Sequence, residues 1–126
     1  MPQQSSIQDK AGYLLVTAKG QRDSFKAVIE GTKQINEAAK KHNIKFILAD
    51  YRGVTYNVPL TDAVNLVKLY EHALPLFQEI VISAVTHYGN MEIARMWESI
   101  CIQRGFKYKV FIDFNEAETW LKAQMH

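Results

Sequence analysis

Polar and aromatic side chains that can bind or react directly follow three runs of apolar residues in this sequence. These side chains are Asp50, Tyr51, Arg52, His87, Tyr88 and Asp113. An arginine fork clamps a carboxylate or phosphate, a histidine exchanges a proton near neutral pH, and an aspartate can orient either group. The pattern therefore predicts a ligand-binding site assembled from three loops, and it identifies no catalytic residue.

The same residues also have a structural interpretation, which the sequence leaves open. Asp50 can pair with Arg52 or cap the loop after it, and Tyr51 and Tyr56 can anchor that loop by packing. If the apolar runs are parallel strands, their carboxyl ends meet at one edge of a sheet, where such folds keep their sites. Whether Asp50, Arg52 and His87 converge depends on the strand order, which the sequence does not fix.

Motifs of nucleotide-binding and hydrolytic enzymes do not occur in the sequence. There is no Gly-x-Gly-x-x-Gly after a strand, no phosphate-cradling glycine loop followed by lysine, and no Gly-x-Ser-x-Gly elbow. The histidines His42, His72, His87 and His126 are too far apart to form a pair on one helix face, and no carboxylate lies at ligand spacing from any of them. The sequence therefore predicts neither a metal site nor a cofactor.

The one cysteine, Cys101, excludes an internal disulfide and a cysteine-rich zinc site. It continues a helically spaced apolar pattern that contains Ile93, Met96, Trp97 and Ile100. A thiol in such a pattern is typically buried and unreactive. We therefore expect Cys101 to be part of the core.

Length and composition indicate a single domain over residues 1–126, with 48% apolar residues to form its core. The formal charge is only +2, and the basic residues are scattered, so no nucleic-acid footprint is predicted. The densest basic cluster, Lys40, Lys41 and His42, is expected at a helix C-terminus. No leader-like start and no membrane-length apolar run are present, so the expected location is the cytoplasm and not the membrane.

The first half of the chain reads as a hairpin, a helix and a buried strand. Residues 5–8 and 13–19 are the predicted hairpin strands, with Gly20 closing the second. A helix is expected from a cap at Asp23 or Ser24 to about Asn43. The continuous apolar run from Phe46 is typical of a strand covered on both faces, and a loop is predicted to include residues 54–59.

The second half alternates helices and strands. The predicted elements are a helix capped by Thr61 and ending near Leu74, a strand over 80–85, a helix through Arg104 stopped by Gly105, a strand over 108–112, and a helix started by Asn115 with Glu118. Alternation of this kind predicts a mostly parallel sheet with helices packed on it, and the hairpin adds an antiparallel member.

This order of elements resembles the STAS-like domains, named for sulfate transporters and anti-sigma-factor antagonists, and is most similar to their SpoIIAA-like branch of small free-standing bacterial proteins. Residues 46–53, 80–85 and 110–121 carry the resemblance. It implies a single-domain α/β fold, with a mixed, mostly parallel sheet, an N-terminal hairpin and about four helices. It also implies a non-enzymatic binding or regulatory module that acts through a protein partner or a small ligand.

One departure from the resemblance concerns phosphorylation. The phosphorylated anti-sigma-factor antagonists carry an Asp-Ser-Ser-Gly-like sequence at the start of the helix after the second central strand, whereas residues 57–62 here read Asn-Val-Pro-Leu-Thr-Asp. Phosphate at Thr61 would be favoured by a helix N-terminus. A threonine in this position is more often an N-cap, so we expect Thr61 to be a cap and not a phosphorylation site.

Two functional hypotheses follow from the sequence. The first is a binding module for a protein partner, which also allows a homodimer. The alternative is a protein for a small apolar ligand such as a lipid, or for an anionic ligand, or a small enzyme, using a crevice that contains Asp50, Arg52 and His87. An apolar stretch can be a ligand mouth, a dimer patch or ordinary core; its members are Leu69, Tyr70, Leu74, Leu76 and Phe77.

Overall fold

The computed structural model describes residues 4–10, 12–62, 64–65, 68 and 79–125. The described residues form five strands and three helices. The strands are β1 (Gln4–Lys10), β2 (Tyr13–Arg22), β3 (Phe46–Tyr56), β4 (Val81–Val85) and β5 (Lys107–Phe111). The helices are α1 (Phe25–His42), α2 (Met91–Gln103) and α3 (Phe114–Gln124), and a 3₁₀ turn (Tyr88–Asn90) precedes α2.

The strands form one five-stranded sheet in the order β1-β2-β3-β4-β5. β1 and β2 are antiparallel, whereas the three remaining pairs are parallel. The predicted mixed, mostly parallel sheet with an N-terminal hairpin is therefore confirmed. No helix in the described ranges is long and apolar enough to cross a membrane.

Helices cover both faces of this sheet. On one face, α1 and α2 contribute Val28, Ile35 and Trp97 to a core cluster that also contains Ile47 from β3. On the other face, α3 contributes to a second cluster, which contains Leu48 of β3. Successive residues of β3 thus face opposite helical layers, which is why this strand is apolar at every position near its start.

The helix count differs from the prediction of about four. Residues 61, 62, 64, 65 and 68 have helical backbone where the second helix is predicted, but the rest of that segment, including Leu69, Tyr70, Leu74, Leu76 and Phe77, lies outside the described residues. The predicted count is therefore one more than the three helices whose bounds are described. Thr61 is exposed and is itself helical, so its predicted role as the residue before the helix is not the observed one.

Two helix starts and one helix end follow from local hydrogen bonding. Ser24 is the N-cap of α1, as predicted, since its Oγ accepts a hydrogen bond from the amide of Ala27 at 3.2 Å. Asn43 ends α1 in the left-handed conformation with φ of 53°. The predicted start of α3 at Asn115 is wrong because Asp113 is the cap: its Oδ1 accepts from the amide of Glu116 at 3.0 Å.

β2 and β3 are both longer than predicted. β2 does not end at Gly20, and residues 54–56 of the predicted loop over 54–59 are still strand, whereas residues 57–59 are not. The reason is that the two strands pair with each other up to Arg22 and Tyr56, whereas β4 follows β3 only as far as Asp50. The candidate residues 50–52 therefore lie inside β3, at the point where β4 leaves it.

A bulge interrupts the extended β2–β3 pairing. Thr17 lies opposite Asp50 and Lys19 opposite Gly53, so β3 has one residue more than β2 between these positions. The extra residue shifts the alternation, and Tyr51 and Val54 therefore both belong to the core beneath α1. Gly53 fits this site because a Cβ there would lie 2.9 Å from the Cβ of Lys19.

A buried arginine joins the extended strands to α1. Arg22 is 2% exposed, and its guanidinium lies 4.8 Å from the ring centre of Tyr51 and 5.6 Å from that of Tyr56. Its Nη1 donates a hydrogen bond to the Tyr56 hydroxyl at 3.1 Å. A Cβ on Gly31 of α1 would lie 2.5 Å from Nη2 of Arg22, so the glycine leaves room for the guanidinium.

The side chain of Asn90 forms hydrogen bonds with the edge of β3 beyond the end of β4. The Asn90 Nδ2 donates to the carbonyl of Val54 at 2.7 Å, and its Oδ1 accepts from the amide of Tyr56 at 3.3 Å. Nδ2 also donates to Oγ1 of Thr86 at 3.2 Å. The buried amide of Asn90 therefore acts as a peptide group would in a neighbouring strand.

Replacing Gly31 with alanine is expected to destabilise the protein, although alanine is favoured over glycine in a helix by about 1 kcal/mol. The new methyl group would overlap with the guanidinium of Arg22, which two tyrosine rings hold in place. We expect Gly31→Ala to lower the free energy of unfolding by about 1–3 kcal/mol, measured by urea denaturation. A stabilising Gly31→Ala substitution would show that Arg22 moves easily.

Asn90→Asp is expected to lower the free energy of unfolding by about 2–3 kcal/mol at neutral pH, because a carboxylate cannot donate to the Val54 carbonyl. Burial raises the pKa of such a carboxyl group, so the deficit shrinks as the pH falls and the acid form regains a donor. Urea denaturation at several pH values measures both effects. Asn115→Asp, at an exposed position of α3, is the matched control and should change stability little. An equal deficit for Asn90→Asp at every pH would contradict the proposed donor role.

Candidate functional site

The candidate site begins with an ion pair inside β3. Arg52 donates from Nε to Oδ1 of Asp50 at 2.9 Å and from Nη2 to Oδ2 at 2.7 Å, and its amide donates to Oδ1 at 3.2 Å. The side chain of Asp50 is 12% exposed and that of Arg52 is 51% exposed. The pair is bidentate, and only its arginine half reaches the surface.

The ion pair keeps Asp50 ionised. Burial alone would raise the pKa of this carboxyl group, but the hydrogen bonds and the charge of Arg52 outweigh burial and hold the pKa below the ordinary value of an aspartate. A general acid or base needs a pKa close to the working pH. Asp50 is therefore suited to fixing Arg52 and not to exchanging protons.

The start of α3 meets this ion pair from the neighbouring loop. The guanidinium carbon of Arg52 lies 5.3 Å from the ring centre of Phe114. Asp113 contributes a favourable charge to Arg52 while its own carboxylate caps α3. Asp50, Arg52 and Asp113 are thus brought together, which the sequence left to the unknown strand order.

Tyr51 points away from this group. It is buried in the cluster beneath α1, where its ring packs against the guanidinium of Arg22. Neighbouring residues of a strand face opposite sides of the sheet, so Tyr51 cannot share a surface with Asp50 and Arg52. The structure therefore favours the packing role that the sequence analysis gives as its alternative for Tyr51.

Both ring nitrogens of His87 are engaged in hydrogen bonds. Its Nδ1 accepts from the amide of Gly89 at 3.0 Å, which leaves the proton on Nε2, and Nε2 donates to the carbonyl of Val54 at 3.1 Å. Within the described part of the chain, no recorded hydrogen bond or ion pair joins His87 to Asp50 or Arg52. His87 holds the turn before α2 against β3 and is not seen to join the ion pair.

Tyr88 is exposed, whereas the one cysteine of the chain is buried. Tyr88, in the 3₁₀ turn, is 79% exposed. Cys101 is buried, as predicted, and burial raises the pKa of its thiol to about 12, which leaves the thiol protonated at neutral pH. The described residues contain no cluster of three or more histidine, cysteine or acidic side chains placed to hold a metal ion.

Two open grooves lie away from the ion pair. One, between β1 and α1, is lined by Ile7, Gln34, Glu37, Ala38, Lys41 and His42. The other, at the amino ends of the central strands, is lined by Lys45, Phe46, Glu79, Val81, Lys107 and Gln124. Neither groove includes Asp50, Arg52 or His87, so the predicted crevice at the carboxyl ends stays a prediction.

Sequence reasoning did not find the contributions of Arg22, Asn90 and Phe114. The signal for Arg22 was a glycine in the middle of a helix, because Gly31 is unfavourable there unless another group needs its space. Asn90 was seen only as a turn residue, since a side chain that replaces a missing strand has no local pattern. Phe114 precedes the predicted start of the last helix at Asn115, and no local pattern predicts its contact with Arg52.

Comparison with known proteins identifies the fold. No protein-family profile matches the chain, and no curated protein matches its sequence. Among solved structures, an anti-sigma factor antagonist from Mycobacterium paratuberculosis superposes with a TM-score of 0.65 at 14% sequence identity, over 96% of this chain and 95% of the other. An uncharacterised protein from Shewanella loihica PV-4 with a SpoIIAA-like fold gives a TM-score of 0.57 at 19% identity, over 94% of this chain and 93% of the other. These superpositions and the five-stranded mixed sheet show that the chain has the STAS-like, SpoIIAA-like fold.

Proposed function

We propose that this chain is a non-enzymatic, regulatory binding module of the cytoplasm, and that a protein partner docks on the surface at the carboxyl ends of β3, β4 and β5. The proposal rests on the observation that the side chains that could act in catalysis, Asp50 and His87, already use their polar atoms in hydrogen bonds within the protein. Asp50 is held by Arg52, and His87 uses both ring nitrogens. The same groups are well placed to hold a surface in a fixed shape.

The surface itself has the composition of a binding site for protein. Tyr88 is largely exposed, and the half-exposed guanidinium of Arg52 lies over the ring of Phe114. Tyrosine and arginine are enriched among the residues that dominate the energy of protein interfaces. A guanidinium fixed by a carboxylate loses little conformational entropy when it binds, which favours recognition.

The fold supports the same class of function. The Mycobacterium paratuberculosis protein of the same fold is an anti-sigma factor antagonist, a description that fits a regulatory module with a protein partner. Fold alone does not define function, so this likeness supports the class of activity and not a particular partner.

The alternative function, binding of a small ligand or catalysis at the strand ends, predicts a different pKa for Asp50 if Asp50 is catalytic. The pKa of a catalytic carboxyl group normally lies near the working pH, whereas the pKa of Asp50 is held below the ordinary value of an aspartate. The apolar stretch that the sequence offers as a ligand mouth, residues 69–77, lies outside the described ranges. Phosphorylation at Thr61 is not part of the proposal.

Asp50→Asn should lower the free energy of unfolding at neutral pH and should make that free energy depend less on pH in the acidic range. Because the folded pKa of Asp50 is below the unfolded value of about 3.9, the ion pair stabilises the fold above that value and this contribution is lost as the pH falls through the folded pKa. Urea denaturation between neutral and acidic pH measures the difference between wild type and variant. That difference should be largest near pH 7 and shrink in acid. Asp23→Asn, at an exposed aspartate, is the control. A difference that changes instead near neutral pH would favour the enzyme alternative.

The docking surface can be tested by photocrosslinking in the host cell. With p-benzoyl-L-phenylalanine in place of Tyr88, we expect a discrete protein adduct, and adding Arg52→Ala should reduce its yield several-fold. The same crosslinker in place of Ile102, which is also exposed but lies near the end of α2, is the matched control. The proposal is wrong if position 88 gives no protein adduct above the level at position 102.

A further inference from the structure

The two edges of the sheet are protected very differently. At one edge, the amide of Val110 in β5 donates to Oε2 of Glu98 at 2.6 Å. Arg95 in turn donates to Oε1 of Glu98 at 3.0 Å and fixes that carboxylate. Lys107 and Lys109 are exposed on the same strand. A capped amide and exposed lysines are standard obstacles to the addition of another strand.

The opposite edge, β1, carries none of these obstacles at its centre. β1 has seven residues and pairs on one side with β2. On its other side no hydrogen bond is recorded within the described part of the chain. Its central residues, Ser6, Ile7 and Gln8, are uncharged and exposed. An open strand of this length is a template for a further strand.

We propose that two copies of this chain associate through β1, which pairs antiparallel with β1 of the second copy and makes one continuous sheet. A twofold axis through the middle of the strand would pair Ile7 with Ile7 of the second copy. This is the register in which all residues from Gln4 to Lys10 are paired. The homodimer goes beyond the proposed function, because β1 is distant in sheet order from the carboxyl-end surface on β3, β4 and β5.

The distribution of charged residues along β1 is compatible with this register. It places Lys10 opposite Gln4, Asp9 opposite Ser5, and Ser6 opposite Gln8, so no two like charges face each other. Moving the axis to Asp9 would instead set two aspartates opposite one another, which is unfavourable. The central register is therefore the one that combines full overlap with no repulsion.

The groove beside β1 gives the second argument. Ile7 is 39% exposed and lines this groove with Ala38 of α1. In the dimer the two grooves become one channel, because residues opposite each other in an antiparallel pair point to the same face. Both isoleucines then lie on its floor, and the apolar side chain that the monomer leaves half-covered is buried. Glu37 and Lys41, of opposite charge, line both walls of the channel in reversed order.

Charge-swap variants of β1 test the pairing and its register together. Ser6→Lys with Gln8→Lys should raise the dimer dissociation constant at least about tenfold, because each new lysine faces another across the axis. Ser6→Glu with Gln8→Glu should do the same. Mixing the lysine and glutamate variants should restore a dimer that contains one chain of each, measured by sedimentation equilibrium and native mass spectrometry against the chain mass of 14.5 kDa.

Two controls keep the test decisive. Ser99→Lys with Gln103→Lys makes the same change of charge at exposed positions of α2 and should leave the wild-type dimer intact. For unaltered wild type, hydrogen–deuterium exchange should show β1 amides becoming protected as protein concentration rises, with β5 unchanged. The proposal is overturned if wild type stays monomeric through the high-micromolar range. It is overturned equally if the mixed variants do not reassociate, or if protection appears on β5 and not on β1.

Discussion

The pairing of β2 with β3 beyond the end of β4 is the constraint on which the rest of this structure depends. Among the described strands, none pairs with this edge of β3 after Asp50, and polar groups there must be satisfied some other way. Asn90 does so with its side-chain amide, and His87 adds a hydrogen bond to the same carbonyl of Val54. The turn that leads into α2 is thereby fixed to β3.

The bulge within the same pairing decides which side chains can meet. It puts Val54 on the same face as Tyr51, in the core beneath α1, while Asp50 and Arg52 lie on the opposite face next to α3. Arg22 then fills the space between two tyrosine rings and the glycine of α1. The inserted residue therefore accounts for the buried arginine cluster, because it puts Tyr51 and Tyr56 on one face of the sheet. Asp50 and Arg52 meet on the other face by ordinary strand alternation.

These arrangements engage the polar side chains of Asp50, Arg52 and His87 in hydrogen bonds with one another or with the backbone. The ionised Asp50 holds Arg52, burial keeps the thiol of Cys101 protonated, and Tyr88 is left exposed. A fixed surface with an exposed tyrosine and a half-exposed arginine is suited to recognition, because little order has to be gained on binding. The homodimer that we propose through β1 would be a second and independent means of association.

Local patterns in the sequence were enough to predict the buried strands, the hairpin, the Ser24 cap and the burial of Cys101, since each depends on residues close together in the chain. They left open whether the side chains at the strand ends converge, and the structure brings Asp50, Arg52 and Asp113 together. The length of β3, its bulge and the separate position of His87 depend on where β4 stops relative to β2. Strand pairing is a long-range property that no local pattern contains. Only the tertiary structure therefore decided that Asp50 and Arg52 pair with each other and that His87 binds the backbone of β3.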